Sequence, residues 1–480
     1  MSLLLLVLLA LSDGALSQGL VMDDQAYDRL PRYPDYGSAG SKAEDTLLRN
    51  TPKVDLRPYC PRPQHQGAIG SCTGWSTGYG AMSILQAIEK GWEGQTDSIT
   101  QHAFSALYLY NQVKIGSCQG GAYIQDAAHL AMEEGNTLSS EYDRFKNDCE
   151  RLPGKSDSLA ALPHRIREYL GLFGTEDAGQ TKIQKTKLSL AARKPVVIAM
   201  MLRNNFQACT AEPPYWSPSA GDTSLLGAHA MVVVGYDDGR GAFEIMNSWG
   251  KDWGNGGFIW VKYADFARYC VYAIQLTPRE ASGKEVAQVR GTLIARTPVY
   301  TDRDQLNFQP DSLRYEGEYY TFSGGVRKLG HLVQLIVPRL TAGTYLYAFS
   351  LDADGSVGVH WPRDGAFDDR YDGQHESALI AMEQIGLHLP GEYGALRFSK
   401  AGRETLCFLI SRSPITDFNQ MLEEIRQADD VDLPQQLEIL LRDRIPPEER
   451  VDFQRNELAF TAQLEESEIL PLIVQVAVAD

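Results

Sequence analysis

Gln66-Gly-Ala-Ile-Gly-Ser-Cys-Thr-Gly-Trp-Ser76 is a glycine-rich segment that leads directly into a helical pattern. Its one thiol, Cys72, precedes apolar residues at Met82, Leu85 and Ile88, which share one face of a helix. A thiol at a helix N-terminus feels the positive end of the helix dipole, which favours the thiolate. The segment therefore predicts a nucleophilic cysteine at the start of a helix.

Two further stretches offer chemical partners for that thiol. An imidazole can hold a thiolate reactive, and His229 begins a strongly apolar strand pattern. The oxygen of Asn247 can accept from the second ring nitrogen and so orient the imidazole. Gln66 can supply a carboxamide N–H which, with the backbone N–H of Cys72, forms an oxyanion hole. The two stretches are Gly227-Ala-His-Ala-Met-Val-Val-Val-Gly-Tyr236 and Asn247-Ser-Trp-Gly-Lys-Asp-Trp-Gly-Asn-Gly-Gly-Phe258.

Together the three stretches resemble the papain family of cysteine peptidases over about residues 54–276. The resemblance implies an α+β, two-lobed catalytic domain with a helical lobe and a β-barrel-like lobe. It also implies a cysteine-type peptidase that hydrolyses peptide bonds without a cofactor or a metal. In that peptidase Cys72 is the nucleophile, His229 the general base and acid, Asn247 the orienting residue and Gln66 the oxyanion donor. Further matching segments are Val54-Asp-Leu-Arg57, Cys118-Gln-Gly-Gly121 and the stretch from Trp253-Gly to Gly257-Phe258.

The resemblance also implies a substrate-binding set. Gly120 and Gly121 would offer backbone hydrogen bonds to a substrate strand. Trp249 would shield the bond between the histidine and the asparagine from water. Tyr123 and Ala228 would help to shape the pocket for a protein or peptide substrate.

The seven cysteines leave at least one thiol unpaired, and Cys72 is the thiol that must stay free. The usual family partners of Cys118 and Cys149 are missing, so these two are expected to pair with each other. Cys209 and Cys270 bracket the histidine and asparagine region much as a family disulfide does. The cysteines with no assigned role are Cys60 and Cys407.

The N-terminus predicts export to the periplasm, the cell surface or the medium. Leu3 to Leu11 is an apolar run too short to span a bilayer, and Ala15-Leu-Ser17 offers a small-residue cleavage site, so residues 1–17 are predicted to be a signal peptide. The alternative is a hydrophobic helix that stays attached. Residues 18–53 are polar and interrupted by proline and glycine, which predicts a flexible leader that acts as a linker or as a short pro-segment.

Beyond the catalytic domain at residues 54–278 and a short linker, residues 285–480 predict a β-rich accessory domain. Short apolar runs such as 331–337 and 344–349 alternate with Gly, Asp and Pro, as in a β-sandwich. Two helices are expected within 417–443, and late strands near 458–462 and 472–478 are expected to join one sheet. The domain's partner is left open between a protein and the cell surface.

Composition restricts the partners. The chain of 480 residues is 43% hydrophobic, with a formal charge of −17, and 16 acidic against 5 basic residues follow Thr416. An acidic chain is a poor non-specific ligand for nucleic acid, so no nucleic-acid partner is expected. No integral membrane segment is expected either.

Two other functions stay open on the same residues: an amidase or transpeptidase acting on cell-wall peptides, and a catalytically silent peptide-binding protein. Three local motifs are interpreted as structural. His65 is expected at the surface, and Ser76 lacks the preceding strand that a serine-hydrolase elbow needs. Asp352-Ala-Asp-Gly355 resembles the opening of a calcium loop, but a hairpin turn is the better interpretation because Arg363 stands at its twelfth position.

Overall fold

The computed structural model describes residues 19–143, 148–218, 224–279, 286–300, 306–383, 385–428 and 432–480. The predicted signal peptide lies outside these ranges. So does most of the short linker predicted between the catalytic domain and the accessory domain. The described chain forms two compact units, one of residues 19–28 and 51–279 and the other of residues 29–50 and 286–480. Within these ranges no helix is both long enough and apolar enough to cross a membrane.

Most helices belong to the first unit, and a π-helical stretch at Trp75–Met82 joins α3 to α4. The helices are α1 (Asp24–Asp28), α2 (Gly37–Asn50), α3 (Cys72–Gly74), α4 (Ser83–Glu89), α5 (Thr96–Gln101), α6 (Ala106–Val113), α7 (Ile124–Glu133), α8 (Ser139–Tyr142), α9 (Lys155–Ala161), α10 (Gly179–Ala191), α11 (Tyr263–Tyr269), α12 (Phe418–Gln427) and α13 (Leu433–Leu441).

The strands of the first unit are β1 (Leu20–Val21), β2 (Lys53–Asp55), β3 (Ala122–Tyr123), β4 (Ile166–Gly171), β5 (Val196–Arg203), β6 (Tyr215–Trp216), β7 (Leu225–Asp237), β8 (Ala242–Met246), β9 (Phe258–Lys262) and β10 (Cys270–Pro278). Those of the second are β11 (Ala287–Tyr300), β12 (Leu306–Asp311), β13 (Leu313–Tyr315), β14 (Tyr320–Phe322), β15 (Arg327–Lys328), β16 (Leu332–Leu340), β17 (Tyr345–Leu351), β18 (Val357–Trp361), β19 (Leu387–Leu389), β20 (Leu396–Arg397), β21 (Gly402–Ser411), β22 (Val451–Phe453), β23 (Leu458–Leu464) and β24 (Ile469–Ala479).

The first unit combines helices with one mixed sheet, as the predicted α+β class requires. Its sheet has the order β4-β10-β5-β7-β8-β9-β6, and β2 pairs with the C-terminal end of β7. The apolar strand pattern predicted at His229 is part of β7. The sequence analysis missed β8, because all five of its residues are buried and show no alternation of polar and apolar side chains.

Glycines let the helix that begins at Cys72 approach its neighbours closely. A Cβ atom on Gly80 would lie 2.6 Å from Cγ2 of Val232 on β7, and one on Gly74 would lie 2.1 Å from the carbonyl oxygen of Ala106 on α6. Only glycine fits at such distances. The backbone that follows Cys72 is thereby held against the strand that contains His229.

The second unit is the predicted β-sandwich. One sheet has the order β19-β16-β11-β23-β22, with β12 on β11 and β20 on β16, and the other has the order β13-β14-β24-β21-β17-β18, with β15 on β24. A single apolar core includes side chains from both sheets. The prediction that the two late strands share a sheet is wrong. β23 and β24 lie in opposite sheets, because the turn between them carries the chain across the core.

The leader is folded along its described part, so the prediction of flexibility is wrong for residues 19–50. Tyr27 is fully buried in the first unit, where its ring stacks on Tyr272 and its hydroxyl donates to the carbonyl oxygen of Phe173 at 2.9 Å. Tyr36 is 3% exposed in the second unit, and its hydroxyl donates to the carbonyl oxygen of Leu379 at 2.9 Å. Burial of a large aromatic ring offsets the entropy lost in ordering such a polar segment.

Candidate active site

Cys72 is the first residue of α3 and is fully buried. Its thiol lies within hydrogen-bonding reach of the backbone N–H of Ala230, the residue that follows His229 on β7. The structure therefore brings together two stretches that are more than 150 residues apart in the sequence.

His229 and Asn247 form the bond that the sequence predicted. The ring Nε2 of His229 lies 2.8 Å from Oδ1 of Asn247, and both side chains are buried. The indole of Trp249 stacks on the imidazole with 5.0 Å between ring centroids and an interplanar angle of 27°. Because this cover excludes water, the bond can hold the ring orientation without competition from solvent.

Ser248 is a positioning residue that the sequence analysis overlooked. Its hydroxyl donates to Oε1 of Gln66 at 2.6 Å, and its backbone N–H donates to Oδ1 of Asn247 at 2.8 Å. The amide nitrogen of Gln66 donates to the carbonyl of Ile69 at 3.0 Å, so its second N–H is the one available to a substrate. Ser248 lay inside a quoted motif, but only the contact itself identifies its role.

Burial sets the protonation state of the thiol. Removal from water raises the pKa of Cys72 to about 12, although the backbone N–H groups of Ala230 and Thr73 act in the opposite direction. Burial therefore opposes the thiolate that the dipole of the helical run beginning at Cys72 favours, and in this conformation burial has the larger effect on the pKa.

Strand β3, which directly follows the glycines predicted to bind substrate, is already paired. Strand β1 runs parallel to β3, with Leu20 opposite Ala122 and Val21 opposite Tyr123. The N–H of Ala122 donates to the carbonyl of Gly19 at 2.9 Å. A Cβ atom on Gly121 would lie 2.4 Å from that same carbonyl oxygen, so the leader packs directly on the glycine loop.

The remaining residues predicted to bind substrate are Gly120, Tyr123, Ala228 and Trp249. Only glycine fits at position 120, since a Cβ atom there would lie 1.7 Å from the carbonyl oxygen of Ile115. Tyr123 and Ala228 are half-buried, and Ala228 is paired with Met201 on β5. Trp249 is also half-buried, with one face on His229.

The cysteine pairing is partly as expected. Cys118 and Cys149 form a disulfide, which confirms that prediction. The suggested pairing of Cys209 with Cys270 is wrong, because both are free thiols. Cys270 is fully buried and donates to the carbonyl of Tyr272 at 3.3 Å, whereas Cys209 ends a half-buried turn. The two cysteines left without a role, Cys60 and Cys407, are buried free thiols.

The structure agrees with the structural interpretation of the three local motifs. His65 is exposed, and its Nδ1 accepts from the N–H of Gly67. Ser76 lies in the π-helical stretch and donates to the carbonyl of Thr73, with no strand before it in the described residues 66–75. Asp352 begins the turn between β17 and β18, where its N–H donates to the carbonyl of Ser356. Arg363 forms a salt bridge with Glu376.

Sequence comparison identifies relatives of the first unit. Residues 51–276 match the model of the family described as papain family cysteine protease. Mouse cathepsin S is 27% identical over 220 residues, which cover 44% of this chain and 58% of the cathepsin. The Arabidopsis thaliana thiol protease aleurain is 24% identical over 206 residues, which cover 40% of this chain and 50% of aleurain. The chain spans about half the length of these curated relatives.

Two solved structures of cysteine proteases are also similar to part of this chain. Xylellain, a cysteine protease from Xylella fastidiosa, is 22% identical with a TM-score of 0.42, over 52% of this chain and 92% of xylellain. A cysteine protease of Carica candamarcensis in complex with E-64 is 21% identical with a TM-score of 0.36, over 48% of this chain and 99% of that protein.

The raised pKa predicts how Cys72 reacts with iodoacetamide in the full chain. Only the thiolate is alkylated, so the rate should rise about tenfold for each pH unit between about pH 7 and pH 10. Peptide mass spectrometry at Cys72 measures the rate, and Cys72→Ala gives the background from the other cysteines. A plateau below about pH 8 would show that the thiolate is already formed in this conformation.

Proposed function

We propose, on the premise that residues 51–276 belong to the papain family of cysteine proteases, that this unit hydrolyses peptide bonds by acyl transfer. The observation that supports the proposal most strongly is the buried 2.8 Å bond between His229 and Asn247, beside a strand that also contacts the Cys72 thiol. A base held in one orientation next to a buried thiol is what nucleophilic catalysis requires.

In the proposed reaction the proton of Cys72 passes to His229, and the sulfur attacks the carbonyl carbon of the substrate. Because Nε2 is bonded to Asn247, the other ring nitrogen, Nδ1, is the one that exchanges the proton. His229 then protonates the leaving amine as the C–N bond breaks, which leaves a thioester on Cys72. A water molecule, deprotonated by His229, then attacks the thioester carbon. The C–S bond breaks, the acid leaves, and the proton on His229 returns to the sulfur of Cys72.

The oxyanion that forms during attack needs hydrogen-bond donors in fixed positions. We assign this role to the backbone N–H of Cys72 and to the second amide N–H of Gln66. The hydroxyl of Ser248 holds the Gln66 carboxamide from its oxygen side, so it prevents the amide from rotating its donor away. Ser248 thereby couples the oxyanion donor to the asparagine that orients the base.

Replacement of the nucleophile tests the proposal. Cys72→Ala should lower the rate of hydrolysis of a peptide substrate by at least about a thousandfold, because attack then lacks the sulfur. Ser76→Ala is the matched control and should retain activity, since the Ser76 hydroxyl donates to the backbone carbonyl of Thr73 and not to a catalytic side chain. Unchanged turnover in Cys72→Ala would end the proposal, and turnover confined to cell-wall peptides would replace it with an amidase activity.

We also propose that the start of the leader is a short pro-segment that restricts access to the site. Strand β1 pairs with β3 directly after Gly121, and the carbonyl of Gly19 packs on Gly121 itself, so the segment covers the backbone expected to bind a substrate strand. Gly19 has a φ of +83° and packs on Gly70, where a Cβ atom would lie 2.0 Å from the carbonyl oxygen. The buried Tyr27 anchors the segment a few residues further on.

Displacement of this segment should activate the enzyme. Gly19→Val cannot occupy the same position, so we expect peptide hydrolysis to rise about tenfold or more and the Cys72 alkylation profile to gain a plateau near neutral pH. Gly94→Val is the matched control, since Gly94 has a similar φ of +73° with open space beside it. Equal rates in the Gly19→Val variant and the parent protein would show that the segment does not restrict the site.

Export is the third element of the proposal. The apolar run at residues 3–11 and the disulfide between Cys118 and Cys149 both suit an oxidising compartment. Cleavage after Ser17 would leave Gln18 and Gly19 at the new N-terminus, so export by itself would not remove the proposed pro-segment.

N-terminal sequencing of the protein expressed in a host that exports it tests this element. The mature chain should begin at Gln18, and Leu6→Arg should leave the protein uncleaved inside the cell because a charge interrupts the apolar run. Ser12 follows the run, so Ser12→Arg is a control that adds the same charge outside it. An exported chain that still begins at Met1 would contradict a cleaved signal peptide.

A further inference from the structure

A polar cavity of about 340 Å³ opens at one end of the β-sandwich in the second unit. Its size is typical of sites for small molecules, which occupy roughly 300–1,000 Å³. It lies between β17, β18 and β21 of one sheet and β20 of the other, far along the sequence from the catalytic residues. The polar side chains that line it include Ser350, Asp352, His360, Asp368, Arg370 and Glu404.

Glu404 occupies a position where the strand pattern calls for an apolar residue. It shares a face of β21 with Leu406 and Phe408, which belong to the sandwich core, and its partner on β24 is the core residue Val476. Glu404 is only 4% exposed. The backbone N–H groups of Lys400 and Ser399 offset part of the cost of burying this carboxyl group, which also lines the cavity.

His360 is a second buried polar group in the wall, with 6% of its surface exposed. Its Nε2 lies 3.0 Å from the hydroxyl of Ser350, whereas Nδ1 has no hydrogen-bond partner among the described residues. Burial lowers the pKa of His360 to about 3, so the ring is neutral at ordinary pH. A neutral imidazole can both donate and accept a hydrogen bond.

The charges of the cavity are only partly neutralised. Arg370 and Asp368 satisfy each other through two hydrogen bonds of 2.8 and 2.9 Å. Asp352 and Glu404 have no salt bridge among the described residues. Burial, followed by the repulsion from Asp352, raises the pKa of Glu404 to about 7. The cavity therefore offers carboxylate acceptors, guanidinium donors and hydroxyl groups together.

This mixture selects a class of ligand. A phosphate or a carboxylate only accepts hydrogen bonds from nitrogen donors and would be repelled by the three acidic groups. An ammonium group only donates, so it would offer no acceptor to the guanidinium groups of Arg370 and Arg397. A hydroxyl group donates and accepts, so a ring bearing several hydroxyls can satisfy both kinds of group at once.

A rigid loop at the cavity presents an aromatic side chain to solvent. Pro390 and Ala395 line the cavity, and between them Tyr393 is 85% exposed. The loop is fixed from beneath, because the amide nitrogen of Gln334 lies 2.8–2.9 Å from three of its carbonyl oxygens. The backbone of the loop is therefore fixed, and the exposed ring of Tyr393 offers a flat surface on which the C–H face of a saccharide ring can stack.

We propose that this cavity binds a neutral saccharide, with one ring among Glu404, His360 and Arg370 and a neighbouring ring on Tyr393. The accessory unit would then hold the protein on a glycan. This function does not depend on the proposed proteolysis, since none of the residues involved belongs to the catalytic unit.

Isothermal titration calorimetry on the full chain tests the proposal, with Cys72→Ala as background so that activity plays no part. The probes are three soluble tetrasaccharides, built of N-acetylglucosamine, of β-linked glucose and of α-linked glucose. At least one should bind, and Gly358→Val and Tyr393→Ala should each weaken that binding about tenfold or more. A Cβ atom on Gly358 would lie 3.4–3.7 Å from Arg370, Ser350 and His360, so a valine there would fill the cavity.

Two comparisons separate a specific loss of binding from a loss of folding. Glu457→Gln changes an exposed carboxyl group elsewhere in the same unit and should leave binding unchanged. Tyr393 is exposed, so Tyr393→Ala should fold even if Gly358→Val does not, which circular dichroism would show. Absence of binding by all three tetrasaccharides would overturn the proposal. Equal binding by Tyr393→Ala and the parent, or competition by inorganic phosphate or spermidine, would overturn it as well.

Discussion

The close packing of the Cys72 helix on strand β7 is the constraint on which the catalytic unit depends. Because Gly80 has no side chain, the helix packs directly against Val232. The thiol then reaches the backbone beside His229. The same strand is bonded to β8, which leads directly to Asn247. This buried contact therefore brings the strand of His229, and through β8 the segment of Asn247, next to the helix that begins at Cys72.

That packing also has an electrostatic consequence. The completely buried thiol loses the water that stabilises its anion, and its pKa rises to about 12. The leader strand on the glycine loop belongs to the same conformation. Burial that raises the pKa of the Cys72 thiol, together with a leader strand that covers the glycine loop, is consistent with the proposed pro-segment.

The leader illustrates how little of the structure local composition determines. Tyr27 and Tyr36 lie nine residues apart, in a segment whose prolines and glycines predict a flexible chain. Each ring is nevertheless buried, and each lies in a different unit of the protein. Their binding sites are formed by residues hundreds of positions away, such as Tyr272 and Leu379, and no local pattern reveals such partners.

Sequence alone identified the candidate catalytic residues and the fold classes of both units, because acyl transfer needs particular side chains and alternating apolar runs need a sheet to cover them. It also predicted the pairing of Cys118 with Cys149. Only the tertiary structure decided that Cys209 and Cys270 stay apart, that β23 and β24 lie in opposite sheets, and that Ser248 joins Gln66 to Asn247. The protonation of Cys72 and the polar cavity around Glu404 were likewise decided in three dimensions. Burial and long-range contact produce each of these features, and neither quantity belongs to any single stretch of sequence.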